Sequence, residues 1–448
     1  MKRRIIMLLN FMVKNYKSFK DENVLSMIPA AKQKGLDYSV CCEKIKRKNI
    51  KALCSTVMYG PNASGKTNII GAMNTFRAMV LRGNIRNSED QITPNAAAYS
   101  LELIPNKDSN EPVVMSIEFV DGGVKFGYSL ALDLGLFLEE KSERKVLSEK
   151  LLVNDEMIFE RTDTLKIGKL SEIKSFLLDS SIENNISLAE IAEKSLINDE
   201  LFLTGAFKLL FTQRLVKQFI DWLTIKFTII YHANEIQCTS RVANPPKKTV
   251  YIDRTTESAA KLFGINSNNI GYITSDDGST QLCSCLNNLS SGKSAIVPAE
   301  IYESLGTLRF VNIFPLLISA LHNGGTLVMD EFDASIHPMA LMNIINIFHN
   351  DEVNIHHAQL IFNTHNPIFL NSNMFRRDEI KFVERDEETH ESTIYSLSDF
   401  GTSGENGVRK GDDYMKNYFI DRYGAISDID FTDLIKSALS IDEEESAD

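Results

Sequence analysis

Eight consecutive residues constrain this chain more than any other stretch: Gly60-Pro61-Asn62-Ala63-Ser64-Gly65-Lys66-Thr67, preceded by the apolar pair Val57-Met58 and followed by Asn68-Ile69-Ile70-Gly71-Ala72-Met73. Apolar strand, glycine-bounded turn and apolar helix in this order make a phosphate-binding loop. Gly60 and Gly65 let backbone N–H groups turn inward around phosphate oxygens, and the helix start adds the positive end of its dipole. Asn62, Ala63, Ser64, Gly65 and Asn68 are then expected to line the phosphates. Lys66 brings an ammonium to the β and γ groups, and Thr67 offers a hydroxyl to Mg²⁺.

Far downstream, Thr326-Leu327-Val328-Met329 reads as a buried strand ending in Asp330-Glu331. Beside a triphosphate this pair has a specific use: Asp330 holds the Mg²⁺ shell, while Glu331 orients and deprotonates the attacking water. A third strand, Gln359-Leu360-Ile361-Phe362, runs into Asn363-Thr364-His365 and sets an imidazole at a strand end. In parallel α/β sheets ligands sit at that edge. Glu331 and His365 are therefore the expected catalytic residues, and Thr67 and Asp330 the expected metal ligands.

A chain of 448 residues, 43% hydrophobic and 24% charged, predicts one or two globular units. Six cysteines with no C-x-x-C give neither a disulfide framework nor a zinc site. With 48 Lys plus Arg against 60 Asp plus Glu, the net charge of -12 argues against a surface that attracts nucleic acid as a whole. One local basic run remains, at Lys44, Lys46, Arg47, Lys48 and Lys51, and the acidic end from Asp442 to Asp448 reads as solvated. The apolar runs from Met7 to Val13 and from Phe310 to Leu321 fall short of the ~18 to 20 residues that cross a bilayer. No membrane partner is expected, Met1 to Ile6 reads as a first strand rather than a signal peptide, and the expected compartment is the cytoplasm.

These residues resemble the ABC-type ATPase heads, the class that includes SMC, RecF and related DNA-maintenance proteins. Four features carry the resemblance: the loop at Gly60 to Thr67, the Asp330-Glu331 pair, His365, and a signature segment ahead of the acidic strand. Two segments compete for the signature, Leu289-Ser290-Ser291-Gly292-Lys293 and Glu303-Ser304-Leu305-Gly306-Thr307-Leu308-Arg309. In the family the signature opens the helix that leads into the acidic strand, and Leu308, Val311, Phe314, Ile318 and Leu321 supply that helix. Ser304, as N-cap, and Gly306 are thus expected to meet a nucleotide held by the opposite protomer. Pro315 is expected to bend or interrupt the helix. The resemblance also puts the position of Lys17 or its neighbours, within Asn15-Tyr16-Lys17-Ser18-Phe19, near the base or ribose, with Lys17 the residue expected. Where many heads carry an aspartate toward the partner protomer, Asp333-Ala334-Ser335-Ile336-His337-Pro338 leaves His337, either a cross-interface contact or a helix-entry residue. The family's glutamine at the Mg²⁺ and water shell has no assigned counterpart.

Across Glu303 to Arg309, Met329 to Pro338 and Asp412 to Ile426, the chain is similar more narrowly to the RloA- or AbiL-type ATPases of bacterial abortive-infection and phage-defence loci. The resemblance implies an α/β ABC-ATPase head, with a mixed sheet lobe, a P-loop parallel sheet flanked by helices, and an inserted helical arm. The expected division is 1–164 for the P-loop lobe, 165–240 for the arm, 241–400 for the signature lobe and 401–448 for a C-terminal helical tail. It further implies ATP and Mg²⁺, a homodimer or higher homo-oligomer closed by sandwiched ATP, and a separate effector from a neighbouring gene, a nuclease being one class. The alternative is a RecF-like repair clamp that closes around duplex DNA.

Overall fold

Buried and exposed residues alternate along Met7–Lys14, Val113–Asp121 and Lys145–Val153, the pattern of strands covered on one face. The computed structural model, which describes residues 5–31, 33, 35–86, 101–135, 143–177, 185–231, 269–274, 280–287, 290–402, 407–426, 430–432, 434–436 and 439, places them in one antiparallel sheet. Its strands are β1 (Met7–Lys14), β2 (Asn23–Ser26), β6 (Val113–Asp121), β7 (Val124–Asp133), β8 (Lys145–Val153), β9 (Glu156–Arg161) and β10 (Leu165–Ile167), in the order β10-β9-β8-β7-β6-β1-β2. Gly122 and Gly123, with φ of 61° and 79°, make the tight β6–β7 turn that side chains would resist. Among the described residues the first strand begins at Met7; of the stretch expected as a strand, Ile5 and Ile6 are irregular chain and Met1 to Arg4 lie outside the described residues. Between β2 and the P-loop strand, β3 (Val40–Ile45) and β4 (Lys48–Leu53) form a separate hairpin.

Every residue of β5 (Ser55–Tyr59) is buried, as expected for a strand covered on both faces. It lies inside a second sheet with β11 (Phe227–Ile230), β15 (Thr326–Met329), β16 (Gln359–Asn363), β17 (Ile380–Arg385) and β18 (Ser392–Ser396), ordered β11-β15-β16-β5-β17-β18. All neighbours pair in parallel except β18. The carboxyl ends of β15, β16 and β5 therefore meet at one edge, which is where the site is built. A small antiparallel sheet of β12 (Asn269–Thr274), β13 (Thr280–Asn287) and β14 (Ser294–Pro298) precedes the signature region.

Helix α1 (Lys66–Arg82) packs against the antiparallel sheet, with Phe76 edge-on to Phe11 and Tyr128 at ring separations of 5.9 and 6.0 Å. Helix α2 (Gln213–Asp221) presses Phe219 onto Phe119, Phe126 and Tyr128 of the same sheet. On the outer face of the parallel sheet, α3 (Leu305–Asn323) and α4 (Pro338–Phe348) bury Ile313, Leu317, Leu341 and Ile345 against Val57, Leu327 and Leu360. Pro315 does not interrupt α3, which runs through it. Val311, Ile313 and Leu317 on either side are buried, and their packing holds the helix across the missing backbone bond. By length and composition α3 could cross a membrane; its apolarity instead serves the packing just described.

Residues 165–240, expected as a helical arm, begin as strand β10 and reach strand β11 by residue 227. Of the described helical chain between them, 201–223 sends Phe202, Phe207, Phe219 and Trp222 into the core, whereas 187–198 is mostly exposed, Ile191 and Ile197 included. Trp222 stacks on Phe119 at 3.9 Å, and the buried Glu149 carboxylate accepts from the N–H groups of Phe202 and Leu203 at 2.6 and 2.7 Å. Helical spacing of aromatic residues reveals a helix but not which surface it covers. Residues 232–240, and Pro245 and Pro246, lie outside the described residues.

Side chains join the two large sheets: the Asn23 amide of β2 accepts from Ile394 N–H of β18 at 2.8 Å, and Gln359 of β16 meets β1. The buried Gln359 amide accepts from Leu8 N–H at 2.6 Å and from the Thr326 hydroxyl at 3.0 Å, and donates to the carbonyls of Leu8 and Leu53 at 3.1 and 2.8 Å.

Candidate active site

The loop after β5 turns around its own lysine. Lys66 Nζ donates to the carbonyls of Gly60 and Pro61 at 2.7 and 2.8 Å, and Gly65 at φ 112° starts α1. Burial lowers the Lys66 pKa to about 8, against the opposing pull of Asp330 and Glu331. Ser64 Oγ is buried with no hydrogen-bond partner among the described residues. Asn62, Ala63, Ser64, Gly65, Lys66, Thr67, Asn68, Glu331, Asn363, His365 and Arg385 line one cleft of ≈320 Å³. A helix N-terminus, an inward lysine and an orphaned hydroxyl around such a space suit a polyphosphate.

Parallel register brings the acidic strand to the same edge. Thr67 Oγ1 donates to Asp330 Oδ1 at 3.1 Å, and Asp330 is buried. Hydroxyl and carboxylate at this spacing are hard oxygen donors that fit Mg²⁺ completed by water and phosphate. Asn363 sets both acids: its Nδ2 donates to Asp330 Oδ1, and its Oδ1 accepts from the Glu331 N–H. Glu331 has φ 47°, a left-handed backbone that turns it from the strand line, and its side chain is exposed to the cleft. Desolvation, and then the charge of Lys66, lower the His365 pKa and favour the neutral imidazole.

A second depression has a lining separate from this cleft. Ser304 caps α3 by accepting from Thr307 N–H at 3.1 Å, and Gly306 lies so close to the 333–338 loop that a Cβ would come within 2.3 Å of the Ser335 carbonyl. Ser304, Gly306, Thr307, Phe310, Ser335, Ile336, His337 and Ala340 line a depression of ≈180 Å³. His337 is the helix-entry residue for α4, its Nδ1 accepting from Met339 N–H at 3.2 Å, and it also opens onto this depression. Of the competing signature segment, Ser290 to Lys293 sit between β13 and β14 rather than at a helix start, and Leu289 lies outside the described residues.

Lys17 departs from expectation. Its ammonium pairs with Glu102 at 2.5 Å and donates to the Tyr231 hydroxyl at 3.2 Å, and it does not line the cleft. Its neighbour Ser18 reaches the loop instead, accepting from Asn68 Nδ2 at 2.7 Å. The sequence reading missed three groups. Asn363 stood in the strand-end string with no role. Arg309 donates from α3 to the Glu331 carbonyl, a contact that only tertiary folding makes. Arg385 reaches the loop from β17, with Nη1 on the Ala63 carbonyl at 3.3 Å.

A family profile described as "AAA domain, putative AbiEii toxin, Type IV TA system" matches residues 55–371. Among solved structures, an SMC head domain from Thermotoga maritima is 14% identical over 87% of this chain and 98% of that one, with a TM-score of 0.35. An SMC head bound to the C-winged helix domain of ScpA is likewise 14% identical over 87% and 98%, with a TM-score of 0.37. No curated protein matches the chain.

Proposed function

The chain belongs to the AAA-domain family described by that profile, and on this footing we propose that it is an ABC-type ATPase that closes as a homodimer on Mg-ATP and hydrolyses it to gate a separate effector in phage defence. The observation that carries the reading is the convergence of Lys66, Thr67, Asp330, Glu331 and His365, from three strand ends, on one cleft edge. The family description, with its AbiEii toxin and Type IV TA system, supports the defence role.

The residues divide the work. Lys66 and the 62–68 backbone bind the outer phosphates, and Thr67 and Asp330 would hold Mg²⁺, which would supply positive charge to the phosphate groups. Glu331 takes the proton of the attacking water at its carboxylate, its backbone fixed by Asn363 and Arg309. His365, kept neutral, offers one ring N–H toward the γ-phosphate. Ser304 and Gly306 of a second copy complete the site with N–H groups from the start of α3. A duplex clamp has less support, because Lys46, Lys48 and Lys125 beside the β3–β4 hairpin pair with Glu172 and Asp155.

Glu331→Gln tests the reading: turnover should fall by roughly 10²- to 10⁴-fold while ATP binding persists and a closed dimer accumulates. Native mass spectrometry reads the dimer, and wild-type turnover in this variant would remove Glu331 as the base. The same variant, purified from its native locus with ATP, should retain the product of a neighbouring gene. Recovery of only a homodimer with nuclease-sensitive DNA would favour the clamp.

A further inference from the structure

Arg385 enters the cleft from a side that neither the P-loop nor the acidic strand supplies. It ends β17, which pairs directly with the P-loop strand, and its Nη1 rests on the Ala63 carbonyl. A rigid hairpin aims it. Arg385 Nε donates to the His390 carbonyl at 2.9 Å, and the turn is held by Asp386, whose Oδ1 accepts from the N–H groups of Glu388 and Thr389 at 3.0 and 2.7 Å. Beyond the turn, Ser392 Oγ donates to the Ser64 carbonyl at 2.6 Å and Ser392 N–H to the Ser18 carbonyl at 2.7 Å. The β17–β18 hairpin thus grips two consecutive P-loop residues, Ala63 and Ser64.

Charge gives this contact its meaning. Among the described residues lining the cleft, Lys66 and Arg385 are the lysine and arginine side chains, and the Glu331 carboxylate shares the same space. A nucleoside triphosphate brings several negative charges, more than one lysine offsets. A guanidinium stays protonated at all working pH values and presents a planar fork of N–H donors that matches phosphate oxygens. A peptide carbonyl is a weak partner for such a group when a phosphate is within reach.

We propose that Arg385 is a phosphate-binding residue of the nucleotide site, exchanging the Ala63 carbonyl for the outer phosphates of a nucleoside di- or triphosphate. This rests on the ATP-binding reading of the same cleft. Arg385 supplies a second cation to the cleft that Lys66 lines, and so favours ATP and ADP over AMP.

The test is calorimetric titration of the full chain with ATP, ADP and AMP, comparing wild type, Lys66→Ala, Arg385→Gln and Arg385→Ala. Arg385→Gln should weaken ATP and ADP by roughly 10- to 100-fold, the worth of a charge-assisted hydrogen bond, with AMP within about twofold. Millimolar guanidinium should restore part of the ATP affinity of Arg385→Ala, and the melting temperature without nucleotide should stay unchanged. ATP affinity within about twofold of wild type in both Arg385 variants overturns the assignment. So does a loss that guanidinium does not rescue and that comes with a lower melting temperature, which would make Arg385 a structural prop. If wild-type protein binds no ATP, or binds it as well as Lys66→Ala does, the ATP reading itself falls, and Arg385 with it.

Discussion

Lys66 shows how one buried charge ties binding to acidity. Burial lowers its pKa from 10.5 to about 8 in the folded chain, so the unfolded chain holds this proton more tightly between those values. Stability without nucleotide should therefore rise from this group as pH increases from about 8 toward 10.5. ATP affinity should move the opposite way, because only the ammonium pairs with phosphate; it should fall by roughly tenfold per pH unit above about 8. Parallel melting and titration series check the opposite signs, and affinity flat to pH 10 would show that Lys66 does not carry the contact. The identities of Lys66, Thr67, Asp330 and Glu331 were legible as chemistry because each sits at a strand or helix boundary with a characteristic neighbour. The motif around Lys17 locates the backbone, whereas Glu102 and Tyr231, more than 80 residues away, decide where its ammonium goes, and its neighbour Ser18 is the one that reaches the loop.

Helix α3 links the two surfaces of the site. Its N-cap Ser304 lies in the depression with His337, and one turn on, Arg309 holds the Glu331 carbonyl. A copy docking on Ser304 would thus press on the element that holds Glu331 in place. Ser304→Arg should cost about 1 kcal/mol through the lost cap and abolish ATP-dependent dimerisation while leaving monomer ATP binding within about threefold. Sedimentation with and without ATP checks this, and normal closure would return Ser290 to Lys293 to consideration. The helix was readable from its apolar period. Its continuity through Pro315 was not, since the proline removes a bond locally while the sheet beneath supplies the compensation.

The site sits on only one of the two large sheets. They are connected in part through α1, Asn23 and Gln359, whose amide meets Leu8 of the antiparallel sheet and Leu53 of the β3–β4 hairpin while its own strand adjoins the P-loop strand. Gln359→Leu keeps volume but leaves the buried Leu8 and Leu53 backbone groups unpaired, and should destabilise the chain by about 2 to 4 kcal/mol. Denaturant unfolding measures the loss, and a shift below about 1 kcal/mol would show that other contacts carry the junction. The sequence alone settled the phosphate loop, the acidic strand, the order of the parallel strands' chemistry and the helical character of the signature segment, because local periodicity and boundary residues encode these. Only the tertiary structure decided that Phe202, Phe207, Phe219 and Trp222 of the 165–240 segment enter the core, that Ser18 rather than Lys17 reaches the loop, and that Asn363 and Arg309 hold the acidic pair while Arg385 reaches Ala63. Those outcomes depend on which distant surfaces become neighbours, and hydrophobic burial sets that for the whole chain at once rather than for any one window.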